Sequence, residues 1–105
     1  MTLEDLRKLD VFQTRTIAAA CEDNPETHNY IVSCLERFYS GDYGEIDAED
    51  TEYNNQDLAA GEGHVLARYK EKYNLDGDFY IEAHFSATVA GIDANNVMIM
   101  YPMER

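Results

Sequence analysis

The chain has 105 residues, 45% of them hydrophobic, and it carries 21 Asp and Glu against 8 Lys and Arg, a formal charge of -13. This length predicts a single domain over residues 1–105, and the hydrophobic content excludes a wholly disordered chain. The negative charge disfavours direct binding to nucleic acid or anionic membranes and favours a protein partner with a positively charged groove.

The N-terminal segment predicts a short helix, a short strand and a second helix. Thr2 can cap the first helix, and Asp5 follows three residues later in a variant of the capping box. Residues 11–15 are rich in β-branched and aromatic side chains, which favours a strand, and the Ala-rich residues 16–21 predict a brief helix. There is no apolar signal-peptide region here and no stretch of ~20 apolar residues anywhere, so the expected location is cytoplasmic.

A longer helix is predicted to begin after Asn24 and to end before Gly41. Asn24 can cap it, Pro25 suits the first helical position, and Gly41 suits the residue that follows a helix. One face of this helix is apolar at i, i+3, i+4 and i+7: Ile31, Cys34, Leu35 and Phe38. The spacing of Cys21 and Cys34 fits neither a metal clip nor a redox C-x-x-C pair, so both are predicted to be structural.

The middle of the chain is unusual because the 30 residues between Arg37 and Arg68 contain no Lys or Arg. Eight carboxylates lie there: Asp42, Glu45, Asp47, Glu49, Asp50, Glu52, Asp57 and Glu62. We refer to residues 42–62 as the acidic segment. A glycine-bracketed turn over residues 41–44 and a surface helix beginning near Asp47 are predicted. Like charges three or four apart on such a helix cost about 0.2–0.5 kcal/mol per pair, which favours a functional reason for them.

The C-terminal part predicts two strands. Residues 64–69 fit either a strand or a helix, whereas residues 79–85 alternate and residues 97–101 are apolar up to Pro102. The alternation places Phe79, Ile81, Ala83 and Phe85 on one side and Tyr80, Glu82 and His84 on the other. Residues 86–96 are predicted to form a loop between two antiparallel strands. The fold class is therefore α+β, a small antiparallel β-sheet with helices packed on one face.

The sequence predicts no catalytic residue, metal site or cofactor. None of His28, His64 and His84 has another His or Cys at a usual ligand spacing. The acidic segment does not fit a calcium-binding loop, and no phosphate-binding glycine motif or nucleophile elbow is present. A hydrolase that uses Glu82 and His84 is the weakest of the functional hypotheses.

The predicted functional site is a surface on the acidic segment that binds a protein partner. Its carboxylates would occupy a groove lined with Lys and Arg, and its tyrosines would anchor the contact. The predicted residues are Asp42, Tyr43, Glu45, Asp47, Glu49, Asp50, Glu52, Tyr53 and Asp57. The alternative is that these carboxylates form a solvated face that only keeps the protein soluble.

Several short motifs recur in an order that resembles a family of small, uncharacterised proteins of phages, plasmids and integrated elements. They are Thr14-Arg15, Gly41-Asp42-Tyr43-Gly44, Glu49-Asp50 with Asn54 or Asn55 and Leu58, Ala67-Arg68-Tyr69, and Tyr101-Pro102. The resemblance covers roughly residues 11 to 102. The chain departs from the pattern in the connection over residues 86–96, which is longer than the family's hairpin and lacks its Arg-Ser pair.

The resemblance implies a mobile-element origin and no established enzymatic activity. Small acidic proteins from that setting often resemble anti-CRISPR or anti-restriction inhibitors. This comparison is an analogy that rests on the genetic setting, which does not by itself fix a function. The leading hypothesis is a non-catalytic inhibitor that blocks the positive groove of a CRISPR effector such as a Cas nuclease. The alternatives are an anti-restriction protein, an inhibitor that binds through its C-terminal hairpin or that hairpin's edge strand, and a mobile-element adaptor or regulator with no defence target.

Overall fold

A computed structural model describes residues 1–86 and 95–105 of the chain. The elements are α1 (Leu3–Leu6), β1 (Asp10–Gln13), α2 (Arg15–Asp23), α3 (Pro25–Tyr39), α4 (Ala48–Ala60), β2 (Glu62–Tyr69), β3 (Phe79–Ser86), β4 (Asn96–Met100) and a 3-10 turn (Pro102–Glu104). The α+β fold class is confirmed. Most of the loop predicted over residues 86–96 lies outside the described residues.

The helices begin where the predicted capping residues lie. Thr2 and Asp5 form the capping box of α1, and Asn24 accepts a hydrogen bond from the Glu26 N–H at 3.0 Å. Gly41 follows α3 with a φ of 88°, in the left-handed region that favours glycine. The strand predicted over residues 11–15 ends at Gln13, because Thr14 instead caps α2.

The four strands form one sheet in the order β1-β4-β3-β2. β3 pairs antiparallel with both β2 and β4, which confirms the predicted terminal pair. β1 lies parallel to β4, with Val11 opposite Val97, so the sheet is mixed although mostly antiparallel. β3 and β4 are therefore both inner strands, and the edges of the sheet are β1 and β2. The hypothesis that a partner adds a strand to an edge of the C-terminal hairpin is wrong, because the described strands of that hairpin have no free edge.

The two faces of the sheet differ sharply. One face packs against α2 and α3 in the core, where Ile17 and Phe38 are fully buried together with Ile81 of β3. We call the opposite side the outer face; it is formed by Asp10, Phe12, His64, Leu66, Arg68, Tyr80, Glu82, His84, Asn96, Met98 and Met100. Glu82 departs from the prediction for this side, because it is only 1% exposed and not solvated.

Both cysteines are free and buried, as the prediction of a structural role requires. Cys21 lies on the buried face of α2, and Cys34 lies on the apolar face of α3. Burial raises the pKa of both thiols, so they stay protonated and unreactive near neutral pH.

Candidate partner-binding surface

The acidic segment runs along the outside edge of β2 and forms hydrogen bonds with backbone N–H and C=O groups of that strand. The Arg68 N–H donates to the Tyr43 carbonyl at 3.1 Å, and the Glu45 N–H donates to the Arg68 carbonyl at 2.7 Å. Further along the edge, the Leu66 N–H donates to Asn54 Oδ1 at 3.0 Å, while Asn54 Nδ2 donates to the Leu66 carbonyl at 2.9 Å. These bonds close an edge that would otherwise offer unpaired backbone groups to another strand.

Asp57 completes this edge. Its Oδ2 accepts a hydrogen bond from the His64 N–H at 3.1 Å, and its side chain packs against Gly63, where there is no room for a Cβ. Asp57 therefore has a role in the fold that does not depend on any partner.

Two other carboxylates of the segment also stabilise the fold. Asp47 caps α4 by accepting a hydrogen bond from the Asp50 N–H at 2.8 Å. Asp42 accepts from Arg37 Nε at 2.7 Å and from the Gly44 N–H at 3.1 Å. The Arg37 guanidinium and the Gly44 N–H hold the pKa of the Asp42 carboxyl below its usual value.

The remaining five carboxylates of the segment neither cap α4 nor bond the edge of β2 in the described part of the chain, although Glu49 and Asp50 lie in the first turn of α4, where the helix dipole favours a negative charge. They are exposed, and no ion pair among the described residues includes any of them: Glu45, Glu49, Asp50, Glu52 and Glu62. Glu49 accepts a hydrogen bond from the Tyr53 hydroxyl at 3.2 Å, one turn away on α4. This part of the surface therefore carries a negative charge that no ion pair within the described part of the chain neutralises.

A shallow groove separates α4 from the outer face of the sheet. It consists of two adjoining hollows of about 250 and 220 Å³ that share Asp50 and Leu66. Five of the nine predicted site residues line it: Glu45, Asp47, Asp50, Tyr53 and Asp57. Glu49 and Glu52 lie roughly 100° and 160° round the helix from Asp50 and face solvent. The predicted residues therefore occupy two neighbouring surfaces.

The two predicted tyrosine anchors lie in different environments. Tyr53 is 54% exposed at the groove, in a position to contact a partner. Tyr43 is only 6% exposed and packs edge-on against Phe38, with ring centroids 6.0 Å apart. The prediction that Tyr43 anchors a partner is therefore corrected, because its ring is part of the core.

The structure also contains a charged cluster on the outer face that the sequence analysis did not identify as a binding site. Glu82 Oε1 lies 2.9 Å from His84 Nε2, and Arg105 donates to both carboxylate oxygens, through Nε at 3.2 Å and Nη2 at 2.7 Å. The only sequence signal is a carboxylate between two buried residues of a strand, Ile81 and Ala83. The hydrolase hypothesis needs the contact between Glu82 and His84, but both carboxylate oxygens are already paired with Arg105.

No group of three or more His, Cys, Asp or Glu side chains is arranged to hold a metal ion within residues 1–86 and 95–105. In the same residues, no helix is long and apolar enough to cross a membrane. Comparison with protein families, curated proteins and solved structures found no match to this chain. The resemblance to mobile-element proteins therefore stays a prediction.

Proposed function

We propose that this protein is a non-catalytic inhibitor that binds a positively charged groove of a host defence complex. One observation carries the proposal: five carboxylates of the acidic segment are exposed and form no ion pair within residues 1–86 and 95–105, although neighbouring residues of that segment bond the edge of β2. The cover over the edge of β2 is made by backbone groups, Asn54 and Asp57, and not by the side chains of Glu49, Asp50 or Glu52. Glu49 and Glu52 are like charges three residues apart on α4 and cost stability there, which supports a role in binding.

Electrostatics explains how such a surface would inhibit. A groove that holds nucleic acid is lined with Lys and Arg and attracts carboxylates by the same field that attracts phosphates. Exposed Tyr53 adds an amphipathic ring beside the charges, a residue type enriched in the energetically important part of interfaces. Long-range attraction would speed association and make it strongly dependent on salt concentration.

The resemblance described above favours a CRISPR effector such as a Cas nuclease as the target, in the cytoplasm of a bacterial host. A restriction enzyme offers the same chemistry, because its DNA-binding groove is also basic, so an anti-restriction protein is the alternative. A mobile-element adaptor or regulator would use the same surface on a partner outside defence.

A phage-plaquing assay tests the proposal in three matched hosts that express the protein. The hosts carry an active CRISPR system, an active restriction system or neither. We expect plaquing to recover in the CRISPR-active host only; recovery in the restriction-active host alone would select the alternative. No recovery in either host, across CRISPR and restriction types, would contradict an inhibitor of these systems and favour an adaptor or regulator.

A further inference from the structure

Glu82 occupies an unusual place for a buried carboxylate. It lies in the middle of the outer face, with Met98 and Leu66 as its neighbours across the sheet and Phe12 beyond Met98 in the same row. Those neighbours are apolar, and a buried charge among apolar groups is costly unless it is paired. An apolar residue would suit the fold of this row at least as well, so the carboxylate calls for another explanation.

Arg105 is the group that pairs with Glu82, and its geometry is that of a recognition contact. Two nitrogens of one edge of the guanidinium donate to the two oxygens of the carboxylate, at 3.2 and 2.7 Å. The guanidinium carbon lies 6.0 Å from the centroid of the Tyr80 ring, within range of a cation–π contact. A bidentate fork beside an aromatic ring selects arginine over lysine.

The cradle around Arg105 is held by contacts that do not involve the Arg105 side chain. Glu104 accepts hydrogen bonds from Thr14 Oγ1 at 2.9 Å and Thr16 Oγ1 at 2.6 Å, and from the Tyr101 N–H at 2.8 Å. These bonds tie the 3-10 turn to the junction of β1 and α2. Removing the Arg105 side chain therefore leaves the walls of the site in place.

A hollow of about 320 Å³ opens beside the ion pair. Glu82, His84, Asn96, Glu104 and Arg105 itself supply its polar groups, while Met98 and Met100 supply an apolar wall for an aliphatic stem. Pockets for small ligands have volumes of roughly 300 to 1,000 Å³, so this one suits a single side chain.

The geometry points to a binding site for an arginine side chain of a protein partner, centred on Glu82 and occupied in the free protein by Arg105. An incoming arginine replaces the hydrogen bonds of Arg105 with equivalent ones. The tethered side chain thus acts as a built-in competitor that weakens unwanted binding. This site does not depend on the acidic segment, so either proposal can fail without the other.

The test uses N-acetyl-L-arginine methylamide as the probe and the neutral citrulline analogue as its matched control. Binding is followed by NMR shifts of residues 80–84 and by calorimetry for three proteins: wild type, Arg105→Ala, and Arg105→Ala combined with Glu82→Gln. We expect Arg105→Ala to bind the arginine probe at least about tenfold more tightly than wild type, because the vacated site is fully available. The citrulline analogue and the double variant should show no saturable binding.

Equal binding of the arginine and citrulline probes by Arg105→Ala, or no saturable binding of either, would overturn the assignment. Equal binding by the single and double variants would overturn it as well. If Arg105→Ala does not fold, Arg105→Lys provides the same comparison, because lysine keeps a charge but cannot fill the bidentate position. The arginine probe should also raise the melting temperature of the vacated variant and not that of the Glu82→Gln double variant, by linkage.

Discussion

At the scale of single residues, Asn54 shows where sequence reasoning stops. Its place on a surface helix is predicted, but its amide copies the hydrogen bonds of a neighbouring strand, with one donor and one acceptor aimed at Leu66. No local pattern encodes that contact, because it depends on how α4 lies against β2. The same holds for Tyr43 and Glu82, whose burial depends on how separate elements pack, with Tyr43 against Phe38 of α3 and Glu82 beneath Arg105.

Replacing Asn54 by Ala should destabilise the protein clearly. Asn54 is 3% exposed, and its loss leaves the N–H and C=O of Leu66 unpaired in a partly buried place. We expect a loss of about 1–3 kcal/mol in the free energy of unfolding, measured in urea. Asn55→Ala, at the neighbouring exposed position, should change it by less than about 0.5 kcal/mol. Equal effects of the two substitutions would contradict the edge-covering role of Asn54.

The ion pair between Arg37 and Asp42 predicts a dependence of stability on pH. The folded-state pKa of Asp42 lies below its ordinary value of 3.8, so its contribution is present above that pH and is lost as the pH falls through the folded-state pKa. Asp42 is half exposed, so its contribution is at most about 1 kcal/mol. Asp42→Asn should lower the free energy of unfolding at pH 7 by that much and at pH 2 hardly at all.

Asp76→Asn is the control for this pH comparison, because Asp76 is exposed and its carboxylate forms no ion pair among the described residues. Urea unfolding at both pH values should show no difference between Asp76→Asn and wild type. A deficit of Asp42→Asn that is as large at pH 2 as at pH 7 would show that charge is not the reason for it.

At the scale of elements, the sequence predicts most helices and both terminal strands, because caps and periodicity are local signals. The parallel pairing of β1 with β4 is not local, because three helices and two strands lie between these two strands in the chain. The ambiguity over residues 64–69 has the same origin. These residues pair with β3 on one side and are covered by α4 on the other, and neither contact is local in the sequence. The charge pattern of the sequence defines the acidic segment, but it does not predict that this segment covers the edge of β2.

Gly44 tests how closely the acidic segment must approach β2. Its φ is 72°, and a Cβ there would collide with the Arg68 carbonyl oxygen and the Tyr69 ring. Gly44→Ala should lower the free energy of unfolding by more than about 1–2 kcal/mol, the cost of the left-handed backbone alone. Gly77→Ala, where nothing lies within 4 Å of the new Cβ, should stay within about 0.5 kcal/mol of wild type. A tolerated Gly44→Ala would mean that this approach is not required.

At the scale of the whole molecule, the net charge of -13 opposes compaction. Salt shortens the range of this repulsion, from a Debye length of about 30 Å at 0.01 M to about 10 Å at 0.1 M. The melting temperature should therefore rise between these two concentrations. A variant with Glu49→Gln and Glu52→Gln should gain less from salt, since it carries two fewer negative charges. A melting temperature that does not rise with salt would contradict self-repulsion in the folded state.

The central claim is that the exposed carboxylates of α4 bind the target. The most direct test compares two triple variants in the plaquing assay: Glu49, Asp50 and Glu52 changed to Lys, against Glu22, Asp23 and Glu71 changed to Lys. Both raise the net charge equally, and thermal melting verifies that each is folded. We expect the first variant to lower the recovery of plaquing at least about tenfold, because repulsion replaces attraction at the basic groove, and the second to leave it unchanged. Undiminished recovery of plaquing with the first triple variant would contradict the claim.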